Sequence, residues 1–255
     1  MNRYFAEIHA GPDSQLGTAS CRIEDSAEVA ALRGGESYEE LLALADALNF
    51  QLRCRESLAV YDRAVALEPE NMTAYRRRAA RHITTLQPEK AVDDLLRCRT
   101  LGGDEADISY RLGIACYLAG NFAAAMREEA RCFPLMNEEM GIAAMFWHTL
   151  SAWRAGEAPS LLRESYRPGM AVGHHTGYEA IMALAAGETT MDAMRRALAS
   201  ESSDLECSIL AYGTARRLLL MGRQEEGEEL LRGILPRDGF WISYAYLAAW
   251  NDVNK

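Results

Sequence analysis

The stretch Tyr110-Arg111-Leu112-Gly113-Ile114-Ala115-Cys116-Tyr117-Leu118-Ala119-Gly120-Asn121-Phe122, with Ala125 just beyond it, decides the fold of this chain. Leu112, Gly113 and Cys116 share one face at helical spacing, Gly120-Asn121 is a turn signal, and the residues after it begin a second helix that packs back on the first. A step back of 34 residues puts Arg78, Ala79, His82 and Ala91 in the same places, and another 34 puts Leu44, Ala45, Leu48 and Ser57 there. The turn positions are then Leu52, Leu86 and Gly120, and Gly156, Gly187 and Gly222 continue them at intervals of 36, 31 and 35. Self-similarity at such a period is the signature of stacked supersecondary units, each unable to bury its apolar face alone.

The small residues Ala45, Ala79 and Gly113 on the first helix, and Ala64, Ala91 and Ala125 on the second, let the two helices of a pair approach closely. With Leu112-Gly113, Tyr61 and the closing Pro69, they resemble the tetratricopeptide repeat. The resemblance implies an all-α chain, a right-handed α-α superhelix of about six helix pairs plus a C-terminal helix. Its units run 38–71, 72–105 and 106–139, with degenerate hairpins over 140–241 and a capping helix over 242–255. Arg78, His82, Cys116, Glu129 and Gly103 depart from the repeat pattern. Residues 1–37 read as a mostly irregular arm with one short helix near Ser26–Arg33, and the breaker-rich run 167–177 reads as a long loop or hinge. Phe240, Trp241, Tyr244, Tyr246 and Trp250 spread aromatic surface around the last helix, as core or as a homodimer contact.

Composition narrows the function classes. With 255 residues, 49% hydrophobic and 25% charged, the chain is an ordinary globular one. Its net charge of -10 argues against nucleic acid as a partner. Arg3 and Glu7 interrupt any secretory signal, no apolar run is long enough to span a membrane, and the six cysteines show no CxxC pair or dense spacing. A cytoplasmic protein with reduced thiols and no membrane partner is expected. Asp104-Glu105-Ala106-Asp107 spells a helicase motif, but no phosphate-binding glycine loop accompanies it. His174 and His175 have no partner at metal-ligand spacing. No catalytic residue, metal or cofactor is assigned, and the chain reads as non-enzymatic.

In the tetratricopeptide family the face of the first helix opposite its buried stripe lines a concave groove. The resemblance therefore implies a groove holding Asn49, Phe50, Arg76, Arg77, Tyr110, Arg111 and Tyr117. Residues 51–100 carry ten basic and seven acidic residues, a net of +3 in an acidic chain. Arginines and tyrosines together suit an acidic or carboxylate-terminated peptide, although Arg76, Arg77, Arg78 and Arg81 could equally form a solvated face paired to neighbouring acids. The Lys/Asn clamp by which some family members hold chaperone tails does not transfer: Leu42, Asp46, Arg77 and Asp107 replace its residues, and only Arg111 matches a basic place. The expected function is a scaffold or adaptor binding a peptide or helix of a partner protein. The alternative is a ligand- or peptide-responsive regulatory subunit.

Overall fold

The computed structural model describes residues 8–255, and the first seven residues of the expected arm lie outside the described residues. Residues up to Asp104 form one compact unit and Glu105–Lys255 a second. The first contains α1 (Pro12–Gln15), α2 (Ala27–Leu32), α3 (Tyr38–Phe50), α4 (Cys54–Leu67), α5 (Met72–Thr84) and α6 (Pro88–Thr100). The second contains α7 (Glu105–Ala119), α8 (Phe122–Cys132), α9 (Glu138–Ala155), α10 (Ser160–Ser165), α11 (Thr176–Ala186), α12 (Met191–Ser200), α13 (Asp204–Leu220), α14 (Gln224–Ile234) and α15 (Tyr244–Val253). The chain is all-α among its described residues: six helix pairs, from α3/α4 to α13/α14, and a closing C-terminal helix.

The first helix of every pair stops in the same way. Leu52, Leu86, Gly120, Gly156, Gly187 and Gly222 all adopt left-handed backbone, with φ of 54°, 52°, 83°, 73°, 82° and 76°. In each case the next residue's N–H reaches back five residues to a helix carbonyl: Arg53 to Leu48 at 3.0 Å, Gln87 to His82 at 2.8 Å, Asn121 to Cys116 at 2.8 Å, Glu157 to Ala152 at 2.8 Å, Glu188 to Ala183 at 2.9 Å and Arg223 to Leu218 at 3.0 Å. This bond satisfies a carbonyl that the end of the helix would otherwise orphan, and the chain reverses in two to four residues. Leucine takes the left-handed conformation at a cost of about 1–2 kcal/mol. At Leu52 burial of the side chain, only 2% exposed, offsets that cost.

Within each hairpin the small residues are where close approach requires them. Ala45, Ala64, Ala79, Ala91 and Ala125 are all fully buried. Gly113 explains a departure from the repeat: a Cβ there would collide with the Glu129 carboxyl of α8, so the missing side chain on α7 makes room for a polar one on its partner. Glu129 is completely buried and its Oε1 has no hydrogen-bond partner, so burial pushes its pKa well above the usual carboxylate range. Arg78, standing where the repeat favours Leu, turns into the α5/α6 hairpin and grips both Asp94 oxygens at 2.9 and 2.7 Å, with Asp62 at 2.8 Å.

The short helix expected over 26–33 is present as α2, with Ser26 capping its N-terminus. The described part of the arm is docked: Ala10 donates to the Gln51 carbonyl at 2.8 Å, the Arg55 amide donates to Gln15 at 3.0 Å, and Asp25 accepts from Arg33 and Arg53 at 2.7 Å each. The irregular run before α11 is also tied down. Ala171 N–H donates to Glu138 at 2.8 Å, and His175 Nδ1 lies 2.6 Å from the Glu139 carbonyl, both at the start of α9. At the other end of the second unit Trp241 and Tyr246 are 1% exposed, while Phe240, Tyr244 and Trp250 are half-buried. The aromatic surface behind the homodimer expectation is therefore turned largely into the unit itself.

Glu129 yields a pH prediction. Its folded pKa lies above the unfolded value of about 4.3, so the folded chain holds one more proton across that window and loses stability as pH rises through it. In urea unfolding at pH 5 and pH 8, Glu129→Gln should shrink the stability difference between the two pH values by about 1 kcal/mol or more. An unchanged difference would mean that Glu129 is ionised in the fold.

Candidate functional site

In the first unit, α3 and α5 carry four of the expected groove residues, and a chain of hydrogen bonds connects two of them. Asn49 Nδ2 donates to Tyr61 at 2.8 Å, the Tyr61 hydroxyl donates to Asp46 Oδ1 at 2.9 Å, and Arg77 Nη1 pairs with Asp46 Oδ2. Tyr61, on α4, is 1% exposed; burial first and the neighbouring Asp46 carboxylate second hold its hydroxyl well above the usual tyrosine pKa, so it stays a proton donor to Asp46. Polarity thus runs outward from a buried phenol to a partly exposed carboxylate and guanidinium. Asn49 Oδ1 at the inner end is buried without a partner. Phe50, the next residue along α3, is 48% exposed, and Arg76 is exposed on α5.

The four neighbouring arginines divide by depth. Arg78 belongs to the hairpin interior with Asp94, and it covers the Tyr75 ring at 5.5 Å. His82 lies 3.9 Å from the same Asp94, and desolvation depresses its pKa against the attraction of that carboxylate. Arg81 has a buried Nε without a hydrogen-bond partner. Of the four only Arg76 is exposed, and Arg77 and Arg78 are each paired to neighbouring acids, Asp46 for the first and Asp62 with Asp94 for the second.

The expected groove residues of the second unit are placed differently. Tyr117 is 3% exposed; its hydroxyl meets that of Tyr212 at 2.7 Å, and its ring packs edge-on to Trp147 at 5.0 Å. Tyr110 packs edge-on to Tyr244 of α15 at 6.4 Å. Arg111 pairs with Asp107 at 2.9 Å, and its Nη1 lies 3.3 Å from the Tyr244 hydroxyl. The stripe of α7 assigned to an open groove is consequently corrected: α15 crosses it, and Ile114 and Tyr117 on that stripe are buried with the rest of the core. Asn251 at the far end of α15 donates to the Leu118 carbonyl at 2.9 Å. Helical spacing marks which residues share a face, but it carries no record of a segment more than a hundred residues later that covers that face.

An inner salt-bridge cluster was not foreseen. Asp252 of α15 accepts from Arg154 of α9 at 2.9 and 3.0 Å, from the Tyr212 hydroxyl of α13 at 2.8 Å and from Arg216 at 3.4 Å. Arg154 also lies over the Phe122 ring at 4.5 Å. The signal available in the sequence was one acid near the end of a largely aromatic and apolar helix. Among the described residues no group of histidine, cysteine and carboxylate side chains is placed to hold a metal ion, all six cysteines are free, and no helix is long and apolar enough to cross a membrane.

No protein-family model matches the chain. Tetratricopeptide repeat protein 28 of Mus musculus is 31% identical over 70 residues, which is 28% of this chain and 3% of that far longer protein. The crystal structure of YrrB, a TPR protein with an unusual peptide-binding site, is 16% identical, with a TM-score of 0.46 over 91% of this chain and 100% of its own.

Tyr117→Phe should lower stability by about 1 kcal/mol through loss of the Tyr212 bond, measured by urea unfolding. A stability equal to that of the wild type would mean that the Tyr117–Tyr212 hydroxyl bond contributes nothing to the fold.

Proposed function

We propose that this chain, which resembles the tetratricopeptide-repeat proteins in its paired helices, is a non-enzymatic scaffold that binds a peptide or helix of a partner protein. The observation that carries the proposal is in the first unit, where Phe50 on α3 and Arg76 with Arg77 on α5 are left accessible. An accessible aromatic and two guanidiniums are the groups that most often anchor a protein partner. Arg77 is oriented by Asp46, which is itself fixed through Tyr61 and Asn49, so part of the ordering cost of binding is met before a partner arrives. Guanidiniums favour planar carboxylates, and a net of +3 over residues 51–100 in a chain of net -10 concentrates that attraction locally. The partner segment is therefore acidic.

Of the seven residues first assigned, Asn49, Phe50, Arg76 and Arg77 remain the proposed contact set. The free thiols and the lack of any described membrane-spanning helix suit an assignment to the cytoplasm.

The test is fluorescence anisotropy with a panel of labelled peptides rich in Asp and Glu. Arg76→Glu combined with Arg77→Glu should weaken the best binder at least fivefold while the far-UV circular dichroism and the unfolding midpoint stay close to wild type, and Tyr117→Phe should leave the affinity unchanged. Equal affinity in the double variant would remove the proposed contact set.

A further inference from the structure

Two adjoining hollows in the second unit, of about 380 and 430 Å³, share Arg154, Arg216, Leu219 and Gln224 as a common wall. The first is completed by Glu228, Leu231, Arg232, Asp252 and Val253, so helices α9, α13, α14 and α15 all contribute. Its charged groups do not balance. Glu228 pairs with Arg232 at 2.7 Å, and Asp252 is shared between Arg154 and Arg216, leaving three guanidiniums against two carboxylates. The surplus falls at Arg216, whose contact with Asp252 is the longest of the set at 3.4 Å, whose side chain is only 15% exposed and whose buried Nε has no partner. A guanidinium that is largely desolvated and only partly compensated is costly to a fold, and an anion arriving from solvent relieves that cost.

We propose that this cleft is a binding site for a small organic monocarboxylate, its carboxylate on Arg216 and its aliphatic part against Leu219, Leu231 and Val253. Asp252 shows that these arginines accept a carboxylate in this setting. The surplus of one positive charge selects a single negative charge, because a second carboxylate on the ligand would face Asp252 and Glu228. The site is independent of the peptide-binding reading, since none of its residues belongs to the contact set in the first unit.

The test uses the full chain, with sodium hexanoate as probe and succinate and inorganic phosphate as comparisons. Isothermal titration measures affinity, and nuclear magnetic resonance follows the arginine Nε–H signals. Hexanoate should bind saturably with a Kd on the order of 1 mM or tighter, as fits a ligand of eight heavy atoms. It should move the Arg216 Nε–H resonance, and succinate and phosphate should bind at least tenfold more weakly. Arg216→Met should weaken hexanoate at least tenfold and Arg216→Lys about threefold. Gln224→Glu, an exposed change on the lining that leaves Arg216 in place, should weaken it at least fivefold and keeps the test decisive if the Arg216 variants fold poorly. Absence of hexanoate binding, equal or tighter binding of succinate or phosphate, or affinity unchanged in Gln224→Glu would overturn the proposal.

Discussion

The structure depends on one recurring constraint: the first helix of each pair ends at a left-handed residue whose successor bonds back five residues to the last turn. That turn leaves two to four residues to reverse direction, which brings the second helix against the first near the point of closest approach. The alanines at 45, 79, 64, 91 and 125 follow from it, because any larger side chain at those positions would oppose the separation the turn imposes. The constraint tolerates residue substitution as long as the backbone is respected. Leucine serves at 52 and 86 and glycine from 120 onward, and the turn is the same.

The same constraint accounts for the polar departures from the repeat pattern. A hairpin held at fixed separation leaves a defined volume between its helices, and that volume can be filled by hydrocarbon or by a matched polar pair. Between α5 and α6 it holds Arg78 and Asp94; between α7 and α8 it holds Glu129, admitted only because Gly113 lacks a side chain. Neither solution requires an active site.

The hairpins, their turn residues and the small contact positions were legible in the sequence, since each depends on residues fewer than 35 apart and on spacing alone. The candidate site was legible only in part. Phe50, Arg76 and Arg77 lie on faces whose neighbours within the first unit are local, and the helical wheel placed them at the surface. Tyr110 and Arg111 meet Tyr244, 134 and 133 residues further on, and Tyr117 meets Tyr212, 95 further on, and a local period has no term for such contacts. The aromatic residues of α15 were the available hint: a helix with so many of them must cover something, and what it covers is the stripe that spacing had assigned to a groove.

The arginines of the two units differ in what holds them. A guanidinium can be held by a carboxylate of its own hairpin, as Arg78 is; held and left partly exposed, as Arg77 is; or buried in a cluster where the carboxylates run short, as Arg216 is. The first is structural, because any ligand would have to displace an intramolecular pair of nearly zero entropic cost. The second can exchange part of its hydration for a partner at little cost to the fold, and suits a surface contact whose strength falls with salt. The third carries a desolvation cost already incurred in folding, so an anion that reaches it gains more from the same charge than it would at the surface. Depth and charge balance, more than the number of arginines, therefore distinguish these three settings.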